Sequence, residues 1–276
     1  MNASDARGLP IGVFDSGVGG LTVLKALRDA LPREDLIYLG DTARLPYGTK
    51  SPVSISRYAC QATAQLQQRN IKLLVVACNT ASAVALDALR EQMHPLPVIG
   101  VVEPGATAAV EARRPAGKHL VLATEATVRL GAYRKAILEK DPAAEIDELA
   151  CELLVSLAEE GWNDGAIAEA IVRRYLIELD DASRHPDSVI LGCTHFPLLR
   201  NTFASVFDKG TSIVDSASTT AAAARDLLES LSLTNDQDTP GTLQLLATDG
   251  ATRFARVGGQ FLGQQLTYED VMIVDL

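Results

Sequence analysis

Ten short apolar runs, rich in β-branched residues, recur along the chain at 11–15, 36–40, 73–77, 98–102, 120–123, 146–149, 189–191, 212–214, 243–246 and 272–274. Longer Ala-, Leu- and charge-rich stretches with helical period separate them, which reads as repeated βα units. A strand followed by a helix and another strand returns parallel to the first, so the alternation predicts parallel sheets flanked by helices. Helix starts are readable at Ser51 before Pro52, at Glu103 before Pro104, and at Ser216 or Ser218 before the alanine-rich stretch 219–231. The stretch 234–241 reads as a surface turn between a helix and the next strand. With 276 residues the chain has room for two domains or one large α/β domain.

A weak internal repeat divides the chain further. Leu74-Val75-Val76-Ala77-Cys78-Asn79-Thr80 matches Val189-Ile190-Leu191-Gly192-Cys193-Thr194-His195: an apolar strand, a small residue, a cysteine, then two polar residues opening a helix. Ligands of such sheets bind at the carboxyl ends of strands. A thiol at a helix N-terminus has its pKa lowered from about 8.5, so both cysteines are candidate thiolates. A lone cysteine at a strand end is ordinarily just buried. Two in repeated contexts, each followed by polar residues unsuited to a core, point to a site holding both.

Charge excludes several partners. There are 25 basic and 35 acidic residues, a formal charge of −10, and this field repels nucleic acid and anionic membrane surfaces. A small anionic ligand stays possible, because helix N-termini bind anions whatever the net charge. No run approaches the ~18 apolar residues of a membrane helix, and even 71–77 is interrupted by Lys72. Residues 1–10 are polar and contain no signal-peptide core, so a cytoplasmic chain with four free thiols is expected.

The turn Asp15-Ser16-Gly17-Val18-Gly19-Gly20 follows the first strand, but a dinucleotide motif begun at Gly17 needs glycine where Thr22 stands, and no Walker A sequence occurs. Its glycines would let a small ligand approach backbone N–H groups beside the Asp15 carboxylate. Cys193-Thr194-His195 offers too few ligands for a closed zinc site, so no metal is expected and His195 reads as a proton donor or ligand contact near the thiol. Asp41 and Glu159 are further candidate carboxylates. Cys60 and Cys151 lack the repeated context and read as structural, and His94, His119 and His185 receive no role.

These residues resemble the bacterial glutamate racemase family, within the cofactor-independent amino-acid racemase superfamily, over nearly the whole chain. The resemblance is carried by Gly12-Val13-Phe14-Asp15-Ser16-Gly17-Val18-Gly19-Gly20-Leu21-Thr22, by Tyr38-Leu39-Gly40-Asp41-Thr42 with Pro46-Tyr47-Gly48, and by Ala77-Cys78-Asn79-Thr80-Ala81-Ser82. Glu103-Pro104-Gly105 and Leu191-Gly192-Cys193-Thr194-His195-Phe196-Pro197-Leu198 complete it. It implies an aspartate/glutamate racemase-like α/β fold in which two similar parallel-sheet units face each other across a cleft. The first unit would comprise 1–100 and 208–276 with Asp15 and Cys78; the second, 101–207 with Glu159, Cys193 and His195.

The same resemblance implies interconversion of L-glutamate and D-glutamate without pyridoxal phosphate, metal or other cofactor. Cys78 corresponds to the thiol that takes the α-proton of D-glutamate and Cys193 to the one that acts on L-glutamate, each reprotonating the face opposite its partner. Asp15 would assist Cys78 and His195 would assist Cys193, with Glu159 as the second carboxylate. Asp15, Ser16, Pro46, Tyr47, Gly48, Asn79, Thr80, Thr194 and His195 match substrate-binding positions, and Thr124 and Thr127 would line the cleft. A homodimer, a cell-wall precursor as activator, and D-glutamate supply for peptidoglycan are implied too. Two departures stand out. The family's Ala-Cys-Pro is here Ala150-Cys151-Glu152, which brings Glu152 forward beside Glu159, and a family glycine is absent from Thr124-Glu125-Ala126-Thr127.

Two other classes are weighed against this. A cysteine hydrolase would use Cys193 as nucleophile and His195 as base, but two residues apart at a helix start these side chains are expected to diverge. A purely regulatory protein would have no need of intact Asp15, Cys78, Cys193 and His195.

Overall fold

The computed structural model describes residues 6–112, 116–180 and 183–276; residues 1–5, half of the segment read above as lacking a signal core, lie outside it. Among the described residues each of the ten apolar runs is a strand, with ends within about two residues of those expected. They are β1 (Ile11–Asp15), β2 (Leu36–Gly40), β3 (Leu73–Val76), β4 (Val98–Gly100), β5 (Lys118–Ala123), β6 (Glu145–Ala150), β7 (Ser188–Gly192), β8 (Ser212–Asp215), β9 (Leu243–Ala247) and β10 (Val271–Ile273). Helices α1 (Leu21–Ala30), α2 (Pro52–Gln67), α3 (Asn79–Met93), α4 (Val102–Glu111), α5 (Glu125–Leu130), α6 (Ala132–Leu138), α7 (Glu152–Glu159), α8 (Gly165–Leu176), α9 (Arg200–Val206), α10 (Ser216–Ser230) and α11 (Ala251–Leu262) connect them.

Two sheets result, one ordered β10-β9-β2-β1-β3-β4 and the other β6-β5-β7-β8, and every pairing is parallel. The order β2-β1-β3-β4 recurs as β6-β5-β7-β8, so β3 and β7 are equivalent strands. That equivalence accounts for the sequence repeat: Cys78 and Cys193 each follow the third strand of their unit. β1, β2, β3 and β7 are buried at every position, as parallel strands covered on both faces must be. Alternate residues feed different cores, Val13 and Val75 facing inward while Phe14 and Val76 pack outward against α2 and α3. The inner core runs on into the second unit through Leu120, Leu122, Val189 and Leu191. The units therefore share one apolar core.

Local starts differ in detail from the sequence reading. Ser51 caps α2 as expected, accepting from Ser54 N–H at 3.3 Å. α4 instead begins at Val102, with Glu103 and Pro104 inside its first turn, where a carboxylate suits the helix dipole and the missing proline N–H leaves no bond unmade. α10 is capped by Asp215, the last residue of β8, whose Oδ1 accepts from Ser218 N–H at 2.8 Å. The expected divide at residue 207 also needs correction. β8 pairs with β7 and so lies in the second sheet; the chain returns through α10, which packs along α1. Lys72 sits buried at the start of β3 against Glu34, its ammonium also donating to the carbonyls of Arg7 and Leu233.

Candidate active site

The sheets have their topological switches at β1–β3 and at β5–β7, where connections leave in opposite directions, the place at which loops part to form a crevice in such folds. At β1–β3 the crevice is bounded by the turn after β1 and the N-terminus of α3, at β5–β7 by the starts of α5 and of the turn after β7.

Asp15 ends β1 and is almost fully buried. Its Oδ2 accepts from Gly17 N–H at 3.0 Å and from Tyr38 Oη at 3.4 Å, whereas Oδ1 has no partner. The glycines beside it answer to close packing. A Cβ on Gly20 would lie 2.6 Å from Asp15 Cβ, and one on Gly19 would lie 2.3 Å from Thr194 Oγ1 and 2.5 Å from the His195 ring. The turn thus brings the two units into contact at the site.

Cys78 is the N-cap of α3. Its Sγ accepts from Ala81 N–H at 3.4 Å and donates to Ser16 Oγ at 3.5 Å. The expected lowering of this thiol does not occur. Burial first, and the Asp15 carboxylate second, push Cys78 up to about 12, outweighing the helix N–H and Ser16, which favour the thiolate. Cys78 is a thiol at neutral pH.

Cys193 follows β7 and opens a tight turn, with the 3₁₀ segment Phe196–Leu199 where a regular helix was expected. In this turn Cys193 Sγ lies 3.7 Å from His195 Nδ1, so the two side chains meet, contrary to the divergence expected of helical neighbours. His195 Nε2 is 3.1 Å from Glu159 Oε1, and Glu159 Oε2 accepts from Arg253 Nη2 at 2.6 Å. Burial opposes charge on His195, but its hydrogen bonds to Cys193 and Glu159 prevail and carry it up to about 10. Burial would also raise Glu159; His195 and Arg253 hold it down at about 2 instead. Between the two carboxylates in question, Glu159 reaches the histidine. Glu152 turns to the backbone N–H of Glu125.

Side chains from both units close the crevice. Tyr133 Oη donates to Asn79 Oδ1 at 2.6 Å, leaving the buried Asn79 Nδ2 without a partner. Thr80 Oγ1 is 3.0 Å from Thr124 Oγ1 and 3.4 Å from Thr127 Oγ1. Gly48 packs on Thr124, its absent Cβ 3.1 Å from that of the threonine, and Thr194 O accepts from Thr22 Oγ1 at 2.9 Å. Pro46 precedes the 3₁₀ turn Tyr47–Thr49. Tyr47 is buried, its hydroxyl committed to Asp41 Oδ2 at 2.6 Å, so only its backbone can face a ligand. Asp41 is likewise fully engaged, by Tyr47, Thr248 and Arg44, and braces the loop. Cys151 is buried in the same core as Cys193, and Cys60 lies within α2.

Among the described residues no cluster of three His, Cys, Asp or Glu side chains could hold a metal ion, and no helix is long and apolar enough to cross a membrane. Tyr133, Phe261 and Arg253 belong to the site without having been visible in the sequence. Arg253 stands 94 residues from its partner, in a helix whose local pattern marks only a core face.

A site of two thiols, one uncharged beside a carboxylate and one beside an imidazolium, suits transfer of protons to and from opposite sides of a small polar molecule. The family model described as Asp/Glu/Hydantoin racemase matches residues 11–224. The chain is 47% identical over 256 residues to a glutamate racemase of Geobacter metallireducens, covering 93% of each chain. Among solved structures it is similar to glutamate racemase from Francisella tularensis in complex with D-glutamate, with TM-score 0.88, 36% identity, and 97% of this chain and 98% of that one covered. It is also similar to Escherichia coli glutamate racemase in complex with L-glutamate and the activator UDP-MurNAc-ala, with TM-score 0.72, 33% identity, and coverage of 92% and 95%.

Proposed function

The chain belongs to the Asp/Glu/Hydantoin racemase family, and from that premise we propose that it interconverts L- and D-glutamate with Cys78 and Cys193 as the two acid–base groups. One observation carries the reading: the thiols occupy equivalent places after β3 and β7, yet Cys78 stands beside the Asp15 carboxylate while Cys193 stands 3.7 Å from the His195 imidazolium. In the direction from L-glutamate Cys193 acts as the base, with the His195 imidazolium 3.7 Å from its sulfur, and Cys78, a thiol, acts as the acid. Cys193 takes the α-proton of L-glutamate, Cys78 delivers its proton to the other face, and D-glutamate leaves. The enzyme is then in the complementary state, with Cys78 as thiolate, ready for D-glutamate.

The difficult species is the carbanion. Its charge spreads onto the α-carboxylate, for which the N-terminal N–H groups of α3 at Asn79 and Thr80 and the unpartnered Asn79 Nδ2 are suited donors. The unpartnered Asp15 Oδ1 suits the substrate ammonium, whose positive charge also offsets the Asp15 repulsion that adds to burial in keeping Cys78 protonated. Ser16, Gly48, Thr80, Thr124, Thr127 and Thr194 supply further polar contacts, with Pro46 and Tyr47 shaping the rim through their backbone. Cytoplasmic D-glutamate supply for peptidoglycan, a homodimeric state and activation by a cell-wall precursor such as the one bound to the Escherichia coli relative are parts of the same proposal.

The test is proton NMR of L- and D-glutamate in deuterated buffer with reductant and chelator. Loss of the α-proton signal with parallel decay of optical rotation is expected, and Cys78→Ala and Cys193→Ala should each lower the rate at least about 100-fold. Full activity in either variant would sink the two-thiol mechanism. The Cys193–His195–Glu159 geometry also favours a second reading, a cysteine nucleophile with its base and orienting carboxylate. A trapped acyl-enzyme on Cys193 would support that reading, which leaves Cys78 without a part.

A further inference from the structure

Arg253 stands in the first turn of α11, a helix of the first unit, and its guanidinium reaches across to the second. There Nη2 donates at 2.6 Å to Glu159 Oε2 at the end of α7, while the other carboxylate oxygen meets His195 Nε2 at 3.1 Å. One oxygen of Glu159 is thus committed to each unit. Other contacts from α11 support the crossing. Phe261 sets its ring nearly perpendicular to that of His195, centroids 5.1 Å apart, and Gln260 Oε1 lies 3.0 Å from where a Cβ on Gly161 would be. At spacings of seven and eight residues, Arg253, Gln260 and Phe261 share a face of the helix.

Glu159 needs such an anchor. Its side chain retains 17% exposure at a helix end, and with a single partner it would exchange that contact for water. His195 is 13% exposed and depends on acceptors to keep its charge. Resting on the two-thiol reading above, we propose that Arg253 is a positioning residue of this relay: it holds Glu159 against His195 and makes the proton chemistry of Cys193 conditional on contact between the two units. The charged and titratable groups facing the relay are few. Cys193 and Glu159 face His195, with the Thr194 hydroxyl 3.5 Å from Nδ1; Tyr133 and Cys151 lie close enough to Cys193 to feel its charge.

The test follows His195 directly. In the full chain, labelled with 13C-histidine, four histidines are present and a His195→Gln variant assigns the signal. His195 should titrate at about 10 in the wild type. Arg253→Ala should lower that midpoint by about one pH unit or more, and Arg253→Lys should restore most of it. For glutamate racemisation, Arg253→Ala should reduce kcat about tenfold while KM stays within about twofold. In a Glu159→Gln background the same change should add nothing, since the two act as a unit. An unmoved or raised His195 midpoint in Arg253→Ala would overturn the proposal, because a Glu159 that stays in place unaided would hold the imidazolium more strongly. Additive losses, or a raised KM with kcat intact, would also overturn it by making Arg253 a substrate contact. A wild-type protein inert toward glutamate whose His195 still answers to Arg253→Ala would keep the positioning role and remove the proposed reaction.

Discussion

Gly19→Ala tests how closely the two halves of the site are fitted together. The new Cβ would lie 2.3 Å from Thr194 Oγ1 and 2.5 Å from His195 Cε1 and Nδ1, against the 3.4 Å at which ordinary contact begins. Relief needs a displacement of about 1 Å. The threonine hydroxyl can turn away about χ1, but the imidazole is held by Cys193, Glu159 and the edge of Phe261. Its shift comes directly out of the 3.7 Å contact with Cys193. Misplacement of a catalytic group by about 1 Å costs on the order of 100-fold in rate, or about 2.7 kcal/mol in barrier height. Overpacking should cost about 1–3 kcal/mol in stability, too little to unfold a domain of this size. The assay is α-proton exchange of L-glutamate by NMR, beside a circular-dichroism melt. Gly210→Ala, where a Cβ meets nothing within 4 Å, serves as the control and should remain within about twofold of wild type. A folded Gly19→Ala protein with activity within about threefold of wild type and an unmoved His195 signal would refute the reasoning.

Lys72→Met strands the Glu34 carboxylate in a buried site and removes the donor from the carbonyls of Arg7 and Leu233; it should cost about 3–5 kcal/mol, read as a lower urea midpoint at unchanged m. The double change Glu34→Leu with Lys72→Met should recover much of this, and a single-variant loss below about 1 kcal/mol would show that the pair does not hold the base of β3. The Glu159–His195 pair should leave its mark on stability against pH. His195, raised from 6.5 to about 10, contributes fully below 6.5 and loses that contribution as pH rises through 10; Glu159, lowered from 4.5 to about 2, contributes fully above 4.5 and loses it as pH falls through 2. The stability gap between wild type and His195→Gln should therefore narrow from pH 6.5 to 10, and parallel curves across that range would disprove the pairing.

Much of the architecture was legible because it is written at short range. A strand such as 73–76 announces itself by β-branched residues in a continuous run, and α2 by Ser51 placed before a proline. Boundaries that depend on partners were less so. Nothing local in 212–215 says which sheet it joins, and Asp215 looks like a strand residue until Ser218 N–H is seen to need an acceptor. Cys78 and Cys193 stand out together in the sequence because each follows the third strand of its unit. Arg253 does not, because its role depends on a helix of one unit ending up against a carboxylate of the other.

The sequence by itself determined the alternation of strands and helices, the equivalence of Cys78 and Cys193, and the family to which such blocks belong. These follow from periodicity and turn chemistry, which act over a few residues. Only the tertiary structure decided the protonation of Cys78. The helix N-terminus favours a Cys78 thiolate from within its own segment, but burial and Asp15, brought in on β1, prevail over it. Tertiary structure likewise set Glu159, and not Glu152, against His195 and brought the Cys193 and His195 side chains together in the turn before the 3₁₀ segment. Desolvation and Coulomb interaction depend on distance in space, and the chain order of a sequence does not contain that distance.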